Sequence, residues 1–141
     1  MILTDAGPLI AILDRGEGHH GICVDCLSRF TGPMVTTWPA FTEAMYLLGE
    51  AGGPRGQEAL WALVKQEDLK IVPQDAIQMD RIAHLMRKYR DLPMDLAGAS
   101  LVVLAEDLKV QEIFTLDRND FTTYRIGGRK SFRIWPPRPG T

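Results

Sequence analysis

Several features that would place the 141-residue chain in a large class are missing or scarce. Its two cysteines, Cys23 and Cys26, are too few for a disulfide scaffold, and a chain of this length does not need one. No long hydrophobic run is present. The most apolar stretch, 96–105, is interrupted by Gly98 and Ser100 and falls short of the roughly 20 residues a bilayer crossing requires. The N-terminus lacks a basic leader, and Asp5 stands where a signal peptide would be apolar. Repeats and low-complexity linkers are absent. Charge of one sign is also lacking: 16 Lys and Arg against 18 Asp and Glu give −2, which supplies no global attraction to nucleic acid or to an anionic membrane. Together these absences predict a reduced, cytoplasmic protein with no membrane association, folded as a single domain over 1–141, in which any polyanion contact is local.

What is present is ordinary globular composition with an uneven charge distribution. Residues 118–141 hold Arg118, Arg125, Arg129, Lys130, Arg133 and Arg138 against Asp120, or +5, so the first 117 residues carry −7. Short apolar runs alternate with longer amphipathic ones, the pattern of an α/β fold in which helices cover both faces of a mostly parallel sheet. Strands are expected over 1–4, 34–37, 69–72 and 112–115, with a further edge strand over 132–134 before a Pro-rich tail, 135–141. Helices are expected over 8–13, 19–30 (with Ile22, Leu27 and Phe30 beside the cysteines), 39–48, 54–66 and from an Asp75 cap to about 89, where Ile77, Ile82, Leu85 and Met86 would face inward. The segment 95–108 is apolar around nearly its whole circumference and predicts a buried central helix.

In an open parallel sheet, ligands bind beyond the carboxyl ends of the strands. Asp5 follows the first strand, Asp117 and Asp120 follow the strand ending at Thr115, and Asp95 opens the buried helix. Glu43 lies at the border of its helix's apolar arc, which predicts a semi-buried carboxylate. Carboxylates meeting there without a cationic partner would repel one another, and hard divalent cations such as Mg²⁺ or Mn²⁺ relieve that repulsion. The chemistry suggested is phosphodiester hydrolysis. Taken singly, each acid has a simpler role: Asp5 and Asp95 as helix caps, Glu43 as a solvated helix-edge residue, and Asp117 and Asp120 as turn residues beside a surface Arg118.

Four segments carry a resemblance to a known family. Thr4-Asp5-Ala6-Gly7-Pro8-Leu9-Ile10, Phe41-Thr42-Glu43-Ala44, Leu92-Pro93-Met94-Asp95-Leu96-Ala97 and Phe114-Thr115-Leu116-Asp117-Arg118-Asn119-Asp120-Phe121 resemble, in order and across nearly the whole chain, the acidic motifs of PIN-domain ribonucleases of the VapC-like toxin branch. The resemblance implies a three-layer α/β/α nuclease that cuts RNA with Mg²⁺ or Mn²⁺, as a homodimer restrained by a cognate antitoxin. It also implies Asp5, Glu43 and Asp117 as the acidic site, Asp120 as a nearby acid and Thr115 as a supporting hydroxyl. One position departs from the pattern. Many relatives have an acid directly before an alanine at the start of the central helix, where this chain has Ala97-Gly98-Ala99. Asp95 stands three residues earlier, about 60° around and about 4.5 Å along a helix. The expected metal ligands are therefore Asp5, Asp95 and Asp117, with Glu43 completing the catalytic set. A site one ligand short, with weakened metal binding or lost activity, is the alternative.

Other readings compete with this one. The chain could cut DNA instead of RNA, or bind a partner without catalysis. A phosphoacceptor receiver domain would need a Lys after its last strand and paired acids after its first, and neither is evident. Cys23-Val24-Asp25-Cys26 with His19-His20 suggests zinc, but ligands strung along one helix wrap poorly around a tetrahedral ion, so two packed thiols are expected, with His20 near the cleft or solvated. Trp38, Trp61 and Trp135 are expected in core or interface positions. Arg118, Arg125, Arg129 and Lys130 are candidates to hold RNA phosphates, or are simply solvated.

Overall fold

Five short segments, β1 (Ile2–Thr4), β2 (Met34–Thr36), β3 (Leu69–Ile71), β4 (Glu112–Phe114) and β7 (Arg133–Trp135), form one parallel sheet in order β3-β2-β1-β4-β7 in the computed structural model, which describes residues 1–138. Between the last two, β5 (Arg125–Ile126) and β6 (Lys130–Ser131) make a separate antiparallel hairpin. Strand alternation splits the apolar residues into two cores. Ile2, Met34 and Phe114 point to one face, while Leu3, Val35 and Ile113 point to the other.

The first face is covered by α1 (Ala6–Leu13), α2 (His20–Leu27), α3 (Trp38–Gly52) and α4 (Pro54–Lys65). The second is covered by α5 (Ala76–Lys88), α6 (Leu96–Leu108) and α7 (Arg118–Thr123). This is the three-layer α/β/α arrangement. In α6 every residue from Ala97 to Ala105 is buried, as its all-round apolar sequence predicts, because β1, β4, α3 and α5 enclose it. Truncating such a residue, for example Leu101→Ala, costs about 2–5 kcal/mol.

Helix starts follow from capping chemistry. The Thr37 hydroxyl accepts from Ala40 N–H, and Pro39 occupies the first turn of α3, where a missing N–H costs nothing. Asp75 and Gln78 form a reciprocal capping box on α5 at 2.9 and 2.7 Å. Three other caps, Asp5 of α1, Asp95 of α6 and Asp117 of α7, all fall on one rim of the sheet. The chain runs β1 to β2 to β3 in one direction and then places β4 on the opposite side of β1. The order of strands thus reverses between β1 and β4, which opens a crevice at their carboxyl ends.

Some expectations need correction. Ile22 is 54% exposed, because the buried side of α2 is set by Cys23 and Cys26 and the neighbouring residue turns about 100° away. Ile77 is 80% exposed: it lies five residues, or about 140° of rotation, from the buried Ile82. Residues 118–123, for which no element was expected, form a helix anchored by buried Phe121 and capped by Asp117. The last strand begins one residue later than expected, because Phe132 turns into the core before β7 starts. Within the Pro-rich tail, residues 139–141 lie outside the described residues.

Candidate acidic site

Each of the three aspartates caps its helix and also faces one cavity. Asp5 Oδ1 accepts from Ala6 N–H at 2.8 Å, Asp95 Oδ1 from Gly98 N–H at 2.7 Å, and Asp117 Oδ1 from Asp120 N–H at 3.4 Å. The capping roles therefore hold, and they fix where the carboxylates sit. Asp5, Glu43, Asp95, Asp117 and Asp120 line a cavity of about 370 Å³ at the crevice between β1 and β4. Among the described residues, no Lys, Arg or His side chain lines it. Glu43, expected semi-buried, stands more openly at the rim, on the solvent side of Ala44.

Hydrogen bonding orients the deepest acid. Thr115, fully buried, donates its hydroxyl to Asp5 Oδ2 at 2.9 Å and accepts from Asp117 N–H at 3.0 Å, which ties the β1 and β4 ends together. Burial pushes the Asp5 carboxyl up; the Ala6 N–H and the Thr115 hydroxyl pull it back, and the charges of Asp95 and Asp117 push it up again. Glu43 is raised first by desolvation and then by the charges of Asp5, Asp95 and Asp117. Asp120 is pushed up to about 6 by burial, by donating its proton to Asp117, and by the Asp117 and Asp95 charges. All three shifts run the same way. The cavity holds more negative charge than its walls neutralise.

Hard oxygen donors in a polar crevice suit a cation such as Mg²⁺ or Mn²⁺ that keeps several waters and takes few carboxylates. Among the described residues, no group of three His, Cys, Asp or Glu is drawn into a closed ligand cage. The acids instead share one open cavity, supported by helix N-termini whose dipoles favour negative charge. Gly98 lines the same cavity, so the position where an acid is missing faces the other acids.

Residues 2–126 match the PIN domain family. The chain belongs to the PIN domain family. This PIN domain is 25% identical over 135 residues to ribonuclease VapC26 of Mycobacterium tuberculosis, covering 96% of this chain and all of that protein. Its fold is similar to the crystal structure of VapC20 of Mycobacterium tuberculosis, a toxin that cleaves the sarcin-ricin loop, with a TM-score of 0.78 at 14% identity over 84% of this chain and 92% of that one. A toxin–antitoxin complex from Klebsiella pneumoniae is also similar, with a TM-score of 0.66 at 19% identity over 87% and 92% of the two chains.

The PIN domain does not gather the expected basic residues around its acids. Arg118 points to the other side of Leu116 and donates to the Pro136 carbonyl at 2.6 Å. Arg125 is used to satisfy the carbonyls of Thr122, Thr123 and Tyr124 at the end of α7. Arg129 and Lys130 line a cavity with Lys109 and Gln111, beside the start of β4 and hence at the opposite, amino-terminal end of the strands from the acids. The cysteines are buried and free, and burial pushes both thiols up to about 11, as packed side chains require. His20 does not line the acidic cavity; its Nδ1 lies 2.7 Å from the Ala11 carbonyl and fastens α2 to α1. Trp38 and Trp61 flank Phe41 edge-on and remain 49% and 43% exposed, while Trp135 donates its Nε1–H to Glu112 at 2.8 Å.

Sequence reasoning missed Tyr124. Its ring is buried below Gly98, and its hydroxyl donates to the Asp120 carboxylate at the cavity floor. The signal was the four-residue spacing from Asp120, which places both on one side of α7 and its cap.

Proposed function

We propose that this PIN domain is an endoribonuclease that hydrolyses RNA phosphodiesters with a bound Mg²⁺ or Mn²⁺, and that it is the toxin of a toxin–antitoxin pair. The observation that carries the reading is the set of five carboxylates facing one cavity that, among the described residues, no cationic side chain lines. Similarity to a protein named a ribonuclease and to a toxin–antitoxin complex supports the choice of RNA and of a protein antitoxin as partners. Two cysteines, both packed in the core, fit a fold that needs no disulfide and hence a cytoplasmic setting. The half-exposed Trp38 and Trp61 supply apolar surface for a second copy of the chain.

Asp5, Asp95 and Asp117 would hold the cation, with Glu43 at the rim. When bound, the ion supplies positive charge against an in-line displacement at phosphorus and makes water easier to deprotonate. The chain's own residues do the rest. Thr115 holds the Asp5 carboxylate in one rotamer, so its second oxygen is fixed in direction. Glu43, solvent-accessible at the rim and raised in pKa by partial desolvation and then by its acidic neighbours, is placed to accept a proton from the attacking water. Asp120, sharing a proton with Asp117 and anchored by Tyr124, limits the charge at the cavity floor.

Gly98 favours a second reading, a partner-binding domain with weak or no cleavage, because the cavity has a backbone where a carboxylate could stand. Cleavage of a labelled RNA pool in Mn²⁺ separates the two. Asp5→Asn, Glu43→Gln and Asp117→Asn are each expected to lower the rate at least tenfold, which needs a loss of only ~1.4 kcal/mol. The folds should remain intact, since Asn caps helices as well as Asp does. Wild-type rates equal to those of all three variants would refute the reading, and cleavage confined to DNA would replace the substrate.

A further inference from the structure

Behind the acidic cavity, separated from it by a single residue, lies a second cavity of opposite character. It has a volume of about 470 Å³, and Leu116 lines both. Thr115, which holds Asp5, also forms part of its wall. Arg29, Arg118 and Arg138 face into it, against one acid, Asp25, which pairs with Arg29 at 3.2 Å in an exposed contact. Its remaining walls are largely apolar, from Ile22, Leu116, Pro136 and Pro137.

Arg118 is the unusual residue. Its Nη1 is committed to the Pro136 carbonyl, but its Nε is buried and has no hydrogen-bond partner, and it is the sole such buried side-chain atom among the described residues. A buried donor left unpaired on a charged group is costly, and it leaves the Arg118 cation under-solvated beside the cavity that it lines. Burial lowers the pKa of Arg118, and the positive charge of Arg138 lowers it further. Two guanidiniums held near each other form a natural seat for an anion between them.

We infer that this cavity is a nucleotide subsite for the RNA strand that passes through the acidic site, with Arg118, Arg29 and Arg138 taking a backbone phosphate and the Pro136, Pro137, Ile22 and Leu116 walls taking the attached sugar and base. The inference rests on the ribonuclease reading. It also relocates the electrostatic grip. The β5–β6 hairpin, with Arg129 and Lys130, lies beyond the far end of α6, about 20 Å of helix from Asp95. Arg118 instead follows Asp117 directly in sequence and sits across one side chain from the acids. An acidic peptide would satisfy the guanidiniums equally, but continuity with a cavity suited to a phosphodiester and its cation favours the nucleic acid.

The test is fluorescence anisotropy of the full chain with a labelled single-stranded RNA of mixed sequence, in EDTA so that binding is measured without cleavage, across a salt series. Arg29→Gln and Arg118→Gln are each expected to weaken binding at least about threefold and to reduce the salt slope by about 0.7, the value for one phosphate contact on a single strand. Arg129→Gln/Lys130→Gln should change affinity less than twofold. Arg29 is mostly exposed, so its variant folds even if Arg118→Gln loosens the chain after β7. Unchanged binding in Arg29→Gln, a larger loss in the hairpin variant, no RNA binding by the wild type, or equal competition by an oligoglutamate of matched charge would each overturn the subsite. Cleavage assays on Asp5→Asn test the ribonuclease reading separately: normal Asp5-dependent cleavage with Arg-independent binding sinks the subsite alone, while Arg-dependent binding with no cleavage sinks the nuclease alone.

Discussion

Placing a carboxylate at position 98, as Gly98→Asp, tests whether the acidic cavity is a cation site with a ligand missing. A Cβ there would come 2.9 Å from Asp95 Oδ1 and 3.5 Å from Tyr124 Cε2, and that Asp95 oxygen is the one accepting from Gly98 N–H. The Asp95 side chain must therefore shift, and a weakened cap costs about 0.5–2 kcal/mol. Removing a glycine from a helix returns a few tenths to about 1 kcal/mol, and a carboxylate in the first turn gains ~0.3–1 kcal/mol from the helix dipole. These contributions nearly cancel, which leaves repulsion from Asp5, Asp95 and Asp120 as the net metal-free effect. The variant should melt below wild type in EDTA and above it in Mn²⁺. If the new ligand tightens Mn²⁺ binding tenfold, saturation adds about 1.4 kcal/mol, or roughly 3–6 °C for a chain of this size. Calorimetric titration of both proteins measures the affinity directly. Gly98→Ala, which presses on Asp95 without adding a ligand, should show no gain. Equal or weaker Mn²⁺ affinity in a folded Gly98→Asp protein would refute the reasoning and leave Asp95 as the ligand at that end of α6.

Asp120 gives a pH signature. Its folded value of about 6 lies above its ordinary 3.8, so the stability it contributes is complete below about pH 4 and is lost as pH rises through about 6. The metal-free protein should melt higher near pH 5 than near pH 7.5, and Asp120→Asn should flatten that slope; an unchanged slope in the variant would place the titration on other groups. Replacing both cysteines, as Cys23→Ala/Cys26→Ala, should lower the melting temperature by a few degrees, because two buried thiols are removed from a packed core, while RNA cleavage and metal content stay at wild-type levels. Release of zinc or loss of cleavage would show that the pair does chemistry.

The layers, the parallel sheet and the buried helix were legible because each rests on a local rule: short apolar runs at β1, β2 and β4 set between amphipathic segments, a near-continuous apolar run in α6, and Pro or Asp at the helix starts. The acids were legible for a related reason. Asp5, Asp95 and Asp117 follow strand ends or open helices, and a parallel sheet brings such positions to one rim. What the sequence concealed depends on packing between distant segments. Nothing near Tyr124 shows that its ring slides under Gly98, and nothing near Arg118 shows that the chain after β7 returns 18 residues later to cover its guanidinium. The basic C-terminal segment looked uniform in sequence, but the fold sets Arg118 on the far side of Leu116 from the acids and Arg129 and Lys130 at the opposite end of the strands. Ile22 and Ile77 were misplaced by counting apolar residues without fixing the phase of the helix.

The bond between Thr115 and Asp5 joins residues 110 positions apart. During synthesis at about 5–20 residues per second, the first acid of the site waits on the order of ten seconds before its partner strand exists. Because β1 lies between β2 and β4, its second edge stays unpaired for that interval, and a chain that stops before residue 112 has a half-built sheet and no acidic crevice. Long-range closure of this kind slows folding, and it also means that truncated products of this chain lack the acidic crevice altogether.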